Sequence, residues 1–443
     1  MEDRELRMTR VAVIGAGWAG AAAALTLARA GAQVTMFEAA KTVGGRARGI
    51  DKDGRNFDNG QHLLLGAYQR SISMITSLHA DLDAVLLRLP LALHTAPAIT
   101  APLSLRAPRV MAPLHLLVAI VTAQGLSLSD KFSTLVWAAR HLRGPVWPKL
   151  VTDNATVSDV LASQPEPARR LLWEPLCVAA LNTPPETASA RVFIDVLRQA
   201  FVGSSLASDL IIPRIDLSQL LPAPALSEVA RLGGKIRVGQ PVMSITQDET
   251  KAIVTTRDEA LEFERVVIAT GPQHVARLLG EGLLSQQVAS TLSGLQYEPI
   301  TTLHFEFVWM TPTASTGMLM LDGDPGQWLF WQQLRNGHWR ASVVISAHHR
   351  SQAEDELTAQ TLAQLHRSYT LPMPTWRLVI TEKRATHACT PAQRSLLAGL
   401  PKQIGNLYFA GDWCFPELPA TLEAAVISGE NAAQLILKDC RNG

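Results

Sequence analysis

The 443-residue chain lacks most of the usual signposts of chemistry. It has four cysteines, Cys177, Cys389, Cys414 and Cys440, and no two form a Cys-x-x-Cys pair. Neither a dithiol redox centre nor a thiolate zinc site is indicated. Reduced thiols in a cytoplasmic protein are the expected state. No Gly-x-Ser-x-Gly elbow supports a serine nucleophile, and His348-His349 has no third ligand at useful spacing. No metal is expected. The net charge is only +1, so nothing points to nucleic acid as a partner. No apolar run reaches the roughly 18–20 residues of a membrane span. Met111–Ala123 comes nearest, but it is short and contains Pro113 and His115. It reads as a buried or an interfacial helix. There is no signal-peptide pattern. Met1–Arg7 is polar and reads as a disordered extension, with Met8 as an alternative start.

Charged residues are also scarce, at 18%, against 47% hydrophobic. The length allows two domains and a large core. A core of that size accounts for the hydrophobicity, as does a greasy substrate or contact with a membrane.

Against these absences, Val11–Gly20 stands out. Four apolar residues, Val11 to Ile14, read as a buried strand, and Gly15-Ala16-Gly17-Trp18-Ala19-Gly20 follows as a Gly-x-Gly-x-x-Gly turn. The alanine-rich run Ala21–Ala30 reads as a helix. Strand, turn and helix in that order are the context a dinucleotide fingerprint requires. Gly15 serves the tight turn, Gly17 the approach of a pyrophosphate, and Gly20 the packing of helix on strand. The first amides of the helix, at Trp18 and Ala19, face the phosphates. A second strand, Gln33–Phe37, ends in Glu38, whose carboxylate suits a ribose diol.

The following residues favour FAD over NAD. Gly44-Gly45-Arg46 forms a second loop able to lie along a pyrophosphate, with Arg46 as a forked cationic donor. Asp58-Asn59-Gly60-Gln61-His62 suits a backbone passing a ring system, with Gly60, Gln61 and His62 nearest it. Near the C-terminus, Leu407–Ala410 reads as a strand ending in Gly411-Asp412, and Asp412 is placed to accept from a ribityl hydroxyl. The helix that begins near Thr421 and Leu422 directs its free amides at the flavin edge.

Three separated blocks carry these features, and we expect 9–78, 225–275 and 383–443 to form one cofactor domain. The second block holds a helix at Ala225–Leu232 and strands around Lys235–Thr246 and Lys251–Thr256. It closes on an apolar strand ending in Ala269-Thr270-Gly271. The expected fold class is α/β, a Rossmann-like FAD domain built from discontinuous segments. Into it is inserted an α+β substrate domain, 79–224 and 276–382. The first insert is mostly helical in pattern. Its stretch 103–149 holds Arg106, Arg109, Lys131, Arg140, Arg143 and Lys149 against one acid, Asp130. It reads equally as a solvated face or as a surface for an anionic membrane, on the inner face of which the protein would be peripheral. In the second insert, Thr301–Trp309 and Gly337–Ser346 have strand character. No second glycine fingerprint is present, so reducing equivalents are expected from a transient nicotinamide or from a redox protein.

These motifs together resemble the flavin amine oxidase and carotenoid desaturase superfamily. More narrowly, Gly15–Gly20, Asp58–His62, Leu181-Asn182-Thr183-Pro184-Pro185-Glu186 and Pro419-Ala420-Thr421-Leu422-Glu423 resemble its squalene-associated FAD-dependent branch. That branch consists of hydroxysqualene dehydroxylases of hopanoid biosynthesis. The superfamily resemblance also implies that the backbone near Val242 lies along the adenine. The branch resemblance implies a long isoprenoid substrate, reductive loss of an allylic hydroxyl and hydride from reduced flavin.

Such chemistry calls for an acid, a cation stabiliser and a dry cavity. His62 and Asp209 are the acid candidates, and Trp413 offers a π face to an allyl cation. Each also reads plainly: His62 as a hydrogen-bonding partner of cofactor or backbone, Asp209 as a cap, Trp413 as packing. Cys414 reads as structural rather than reactive. The rival readings are a carotenoid-type desaturase or isomerase, an amine oxidase, and a flavin-bound scaffold without turnover.

Overall fold

The computed structural model describes residues 9–97, 99, 102–143, 151–280, 282–308, 317–334, 337–347 and 352–442. The Met1–Arg7 extension, Lys149 and the His348-His349 pair lie outside the described residues, and nothing is described of the Arg143 side chain.

Alternation within apolar strands builds the central sheet. In Arg10–Ile14, Val11 and Val13 enter one core while Ala12 and Ile14 enter another on the opposite face. A strand apolar on both sides belongs inside a parallel sheet covered on both faces. The sheet has six strands, ordered Lys235–Val238, Gln33–Glu38, Arg10–Ile14, Arg265–Ile268, Leu407–Phe409 and Gln403–Ile404. All pairings are parallel except the last. One face carries the glycine-loop helix Trp18–Arg29, the helix Pro222–Arg231 and the C-terminal helix Leu422–Asn442. The other face carries a three-stranded antiparallel sheet, Ser244–Gln247, Ala252–Thr255 and Ala260–Phe263. The expected strand Lys235–Thr246 is therefore two strands in two sheets. The chain leaves the first at Gly239, whose φ is +70°, a conformation that favours glycine.

A second, five-stranded antiparallel sheet is ordered Met318–Met320, Trp328–Gln333, Trp339–Ser346, Tyr297–Phe307 and Trp376–His387. A hairpin, Gly49–Lys52 and Arg55–Asp58, joins it to the cofactor loops. The joint is electrostatic and aromatic. Glu306 is buried and receives Arg55 Nε at 2.8 Å and Arg340 Nη2 at 2.7 Å. Phe57 packs on His304 and Trp376, and the Arg340 guanidinium lies 5.4 Å from the Phe57 ring. A buried carboxylate paired with two guanidiniums fixes geometry, because removing one partner strands a charge. The loop Asp58–His62 is thus held against the second sheet.

Asn182 does the same at the sheet's far edge. It ends the helix Glu174–Leu181 in the left-handed conformation, φ +46°. Its Nδ2 donates to Thr386 Oγ1 at 2.9 Å, and its Oδ1 accepts from Ala347 N at 3.0 Å. Thr183 Oγ1 accepts from Cys389 N at 2.9 Å. The Leu181–Glu186 motif is a clamp that ties the helical insert to three strands of the sheet.

Candidate functional site

The two glycine loops meet directly. Gly44 N donates to Ala16 O at 2.8 Å, and Gly17 and Gly44 form an isolated parallel bridge. Two of the fingerprint glycines are required by the fold alone. Gly15 has φ +104°, and a Cβ there would lie 2.8 Å from Ala269 O. A Cβ on Gly20 would lie 1.9 Å from Gly15 O. Gly17 differs. Its φ is −77°, open to any residue, and a Cβ would meet only Gly45 Cα at 3.8 Å and Gly44 O at 4.0 Å. The protein has room for a side chain there, so the glycine serves whatever lies in front of it. No side chain caps the helix that starts at Trp18. Its first amides, at Trp18, Ala19 and Gly20, are left for an anion, with the helix dipole behind them.

Glu38 is held by the loop it serves. Its Oε2 accepts from Ala16 N at 2.7 Å and its Oε1 from Ala40 N at 2.8 Å. A carboxylate has about four acceptor sites, so two remain for a diol. Gln240 N donates to Glu38 O at 2.9 Å, which brings the Val242 segment to the same corner. Trp18 Nε1 donates to Ala47 O at 3.3 Å and pins the second loop to the helix.

The ends of the chain close over this cradle. Arg46 Nη2 donates to Asp412 Oδ1 at 2.6 Å across 366 residues of sequence, and Arg46 Nη1 reaches Ala385 O at 2.9 Å. Burial pushes Asp412 up, but the Arg46 guanidinium beside it holds the carboxyl below its ordinary value. It stays ionised near neutrality. Gly411, with φ +148°, makes the turn, and its amide donates to Ser428 Oγ at 2.8 Å. Thr421 Oγ1 accepts from Ala424 N at 3.1 Å and starts the C-terminal helix, which leaves the Leu422 amide to the site. Glu423, one residue on, faces away and accepts from Arg70 N, Ser71 N and Ser71 Oγ.

Gly60 and His62 stand beside Thr302 of the second sheet. A Cβ on Gly60 would come 3.6 Å from His62 Cε1 and 3.8 Å from Thr302 Oγ1. His62 Nδ1 lies 2.7 Å from Gly60 O, so Nδ1 carries the proton and Nε2 holds a lone pair. Burial pushes this imidazole below its ordinary value, with the Gly60 carbonyl opposing. Gln61 lies in the same loop, partly buried.

Asp209 is bound up in the structure beside the Leu64–Leu65 strand. It adjoins a short strand, Leu210–Pro213, and is enclosed by Arg88 Nε at 2.8 Å and Arg109 Nη1 at 2.9 Å. Gly66 N donates to its carbonyl at 2.8 Å. A carboxylate engaged by two guanidiniums is a brace between segments, in line with the structural alternative for Asp209. Trp413 packs in the core. Its indole is enclosed among Val266, Ile268 and Phe409, and Nε1 donates to Thr270 O at 3.1 Å. The short turn Asp412–Cys414 rotates it into the core, so no π face is offered to a substrate. Burial pushes the Cys414 thiol up, in keeping with a structural cysteine.

His387 has no counterpart in the sequence reading. It is buried at the end of the Trp376–His387 strand, beside the backbone of Ala388 and Asp412. Burial pushes it down, while the Asp412 carboxylate pulls the other way. It therefore faces the Arg46–Asp412 pair. Only its place opposite Tyr297 in the antiparallel register signals this, and register is not visible in sequence. Among the described residues no cluster of three or more His, Cys, Asp or Glu could hold a metal ion.

An open Gly17, uncapped amides, a free-sided carboxylate and an Arg46–Asp412 ion pair whose carboxylate is buried fit FAD. The family model for flavin-containing amine oxidoreductases matches residues 18–437. The chain is 32% identical to hydroxysqualene dehydroxylase of Rhodopseudomonas palustris, over 96% of this chain and 98% of that one. It is 25% identical to a probable zeta-carotene desaturase of Synechococcus elongatus, over 97% and 98%. Among solved structures, cyclohexylamine oxidase from Brevibacterium oxydans superposes with a TM-score of 0.72, at 20% identity, over 98% of this chain and 99% of that one.

Proposed function

The chain belongs to the family of flavin-containing amine oxidoreductases, and from that premise we propose that it reductively dehydroxylates hydroxysqualene to squalene with FAD. The observation that carries this is the end-to-end match to a dehydroxylase. The chain is an FAD-dependent oxidoreductase, and FAD, when bound and reduced, supplies the hydride. The C–O bond breaks, the hydroxyl leaves as water with one added proton, and hydride closes the carbon. Two electrons are replaced from a reduced nicotinamide or a redox protein.

The residues divide this work. Gly15, Gly17, Gly20, Gly45 and the amides of Trp18 and Ala19 take the pyrophosphate, and Glu38 and the Val242 segment take the adenosine end. Arg46 keeps Asp412 ionised, so Asp412 accepts from the ribityl chain. Gly60, Gln61, Thr421 and Leu422 border the ring. His62, its Nδ1 held by the Gly60 carbonyl, presents Nε2 to the substrate hydroxyl, and a proton taken up from water at Nε2 would pass to that oxygen as the C–O bond breaks. The segments 9–78, 225–275 and 383–443 form the cofactor domain, and 79–224 with 276–382 the substrate domain. No described helix is long and apolar enough to cross a membrane.

The desaturase relative favours a second reading, in which the same scaffold removes hydride from a polyene precursor. Product analysis separates the two. The protein is incubated anaerobically with dithionite and hydroxysqualene, or oxidised with zeta-carotene and a quinone. Squalene in the first supports the proposal. Dehydrogenated polyene in the second alone overturns it.

A further inference from the structure

Two consecutive helices of the first insert are built inside out. In Leu128–Ala138 the buried residues are Asp130, Thr134 and Trp137, two of them polar. The opposite stripe, Leu128, Phe132 and Val136, is exposed, Leu128 at 85% and Phe132 at 70%. Spacing of four places these three on one line along the helix. In Leu114–Thr122 the inward residues are His115, Ala119 and Ile120, and Leu114, Leu117 and Val121 point out. Met111, 73% exposed, continues that stripe into the preceding turn. The two helices pack on each other. Isolated exposed leucines are ordinary, but a contiguous apolar face of this kind marks a contact surface.

The charges around it select the partner. The only acid between residues 103 and 149 is Asp130. It is turned into its own helix start, where it accepts from Ser127 N at 2.9 Å and Ser127 Oγ at 2.7 Å. Arg106 and Arg140 are exposed. Lys131 sits one residue before Phe132, with Nζ on Val121 O at 2.9 Å. The outward face is therefore apolar at its centre and cationic around it. A second copy of the chain would set these cations against their own kind. Anionic headgroups pair with them, while the apolar stripe enters the acyl boundary.

We propose that Met111–Val136 is the docking surface for an anionic lipid leaflet, inserted by Leu128 and Phe132. This deepens the proposed function and rests on it for its purpose, since a hydrocarbon substrate is drawn from such a leaflet. The insertion itself stands on the helices.

The test uses the FAD-loaded full-length protein with vesicles of phosphatidylglycerol and phosphatidylcholine, and with phosphatidylcholine alone. Wild type is expected to sediment with the anionic vesicles and at least tenfold less with the neutral ones. L128E/F132E is expected to lose sedimentation at least tenfold, with its flavin spectrum intact. R140E is expected to weaken it by a smaller factor. Turnover of hydroxysqualene dispersed in detergent is expected to be unchanged in L128E/F132E, and turnover of substrate held in vesicles to fall. Sedimentation of L128E/F132E equal to wild type overturns the proposal. So does wild type that ignores anionic vesicles, and so does a wild-type dimer that L128E/F132E converts to monomer. Detergent turnover separates the two readings: its absence contradicts the dehydroxylase, whereas lost vesicle binding with turnover intact belongs to the surface alone.

Discussion

The glycine-loop helix and the inside-out helices put similar residues to opposite use. In Trp18–Arg29, Ala21 to Leu25 and Leu27 have no exposed surface, enclosed by the sheet and the C-terminal helix. In Leu128–Ala138, Leu128, Phe132 and Val136 stand in solvent. Burial decides what each leucine does. One contributes stability, while the other contributes nothing until something covers it. The cofactor half is fixed by contacts within the chain, and the substrate half carries surfaces completed from outside.

The sharpest break of that comparison lies within the glycine loop. Gly20→Val is expected to prevent folding, because its Cβ already collides with Gly15 O, and the protein should be recovered aggregated. Gly17→Val is expected to fold with native circular dichroism yet purify without yellow colour. A yellow Gly17→Val protein contradicts the cradle.

The next largest contrast is Leu25→Ala against Leu128→Ala. The first should cost about 2–5 kcal/mol in denaturant unfolding, as a core cavity does. The second should stay within about 0.5 kcal/mol of wild type. Equal losses erase the distinction between the two helices.

Asp412→Asn keeps the shape but removes the charge that Arg46 balances. Flavin affinity, read by fluorescence titration, should fall about tenfold, or about 1.4 kcal/mol. An unchanged affinity removes Asp412 from the site.

A further effect is one of pH. Burial pushes Asp58 up to about 7, against the amide of Leu217, which donates to it at 2.8 Å. Between about pH 4 and 7 the unfolded chain loses this proton while the folded chain keeps it. This group's stabilisation is complete below about pH 4 and is lost as pH rises to 7. Relative to Asp58→Asn, wild type should lose stability between pH 5 and 7.5. Parallel curves contradict the assignment.

What could be read from sequence follows the same division. Val11–Gly20, Glu38 and Gly44–Arg46 were legible because turn, close approach and acid act over a few residues. The parallel strands were legible because apolar continuity is local. Arg46 and Asp412 were each visible, but their 2.6 Å contact spans 366 residues and required the fold. The partners of Asp209 and Trp413 were not legible for the same reason, since Arg88, Arg109 and Thr270 lie far off in the chain. Asn182 stood in a recognised motif, yet its role as a clamp depends on strands that arrive more than a hundred residues later. The exposed stripe was half legible: Met111–Ala123 read as buried or interfacial, and only three-dimensional burial decides between them.

The most direct measurement is an anaerobic single turnover. The yellow protein is reduced with dithionite, freed of excess reductant and mixed with hydroxysqualene in detergent, while flavin absorbance is followed and the lipid identified by mass spectrometry. The account predicts reoxidation of the flavin with one squalene formed per flavin. Flavin that stays reduced, with hydroxysqualene recovered unchanged, contradicts it.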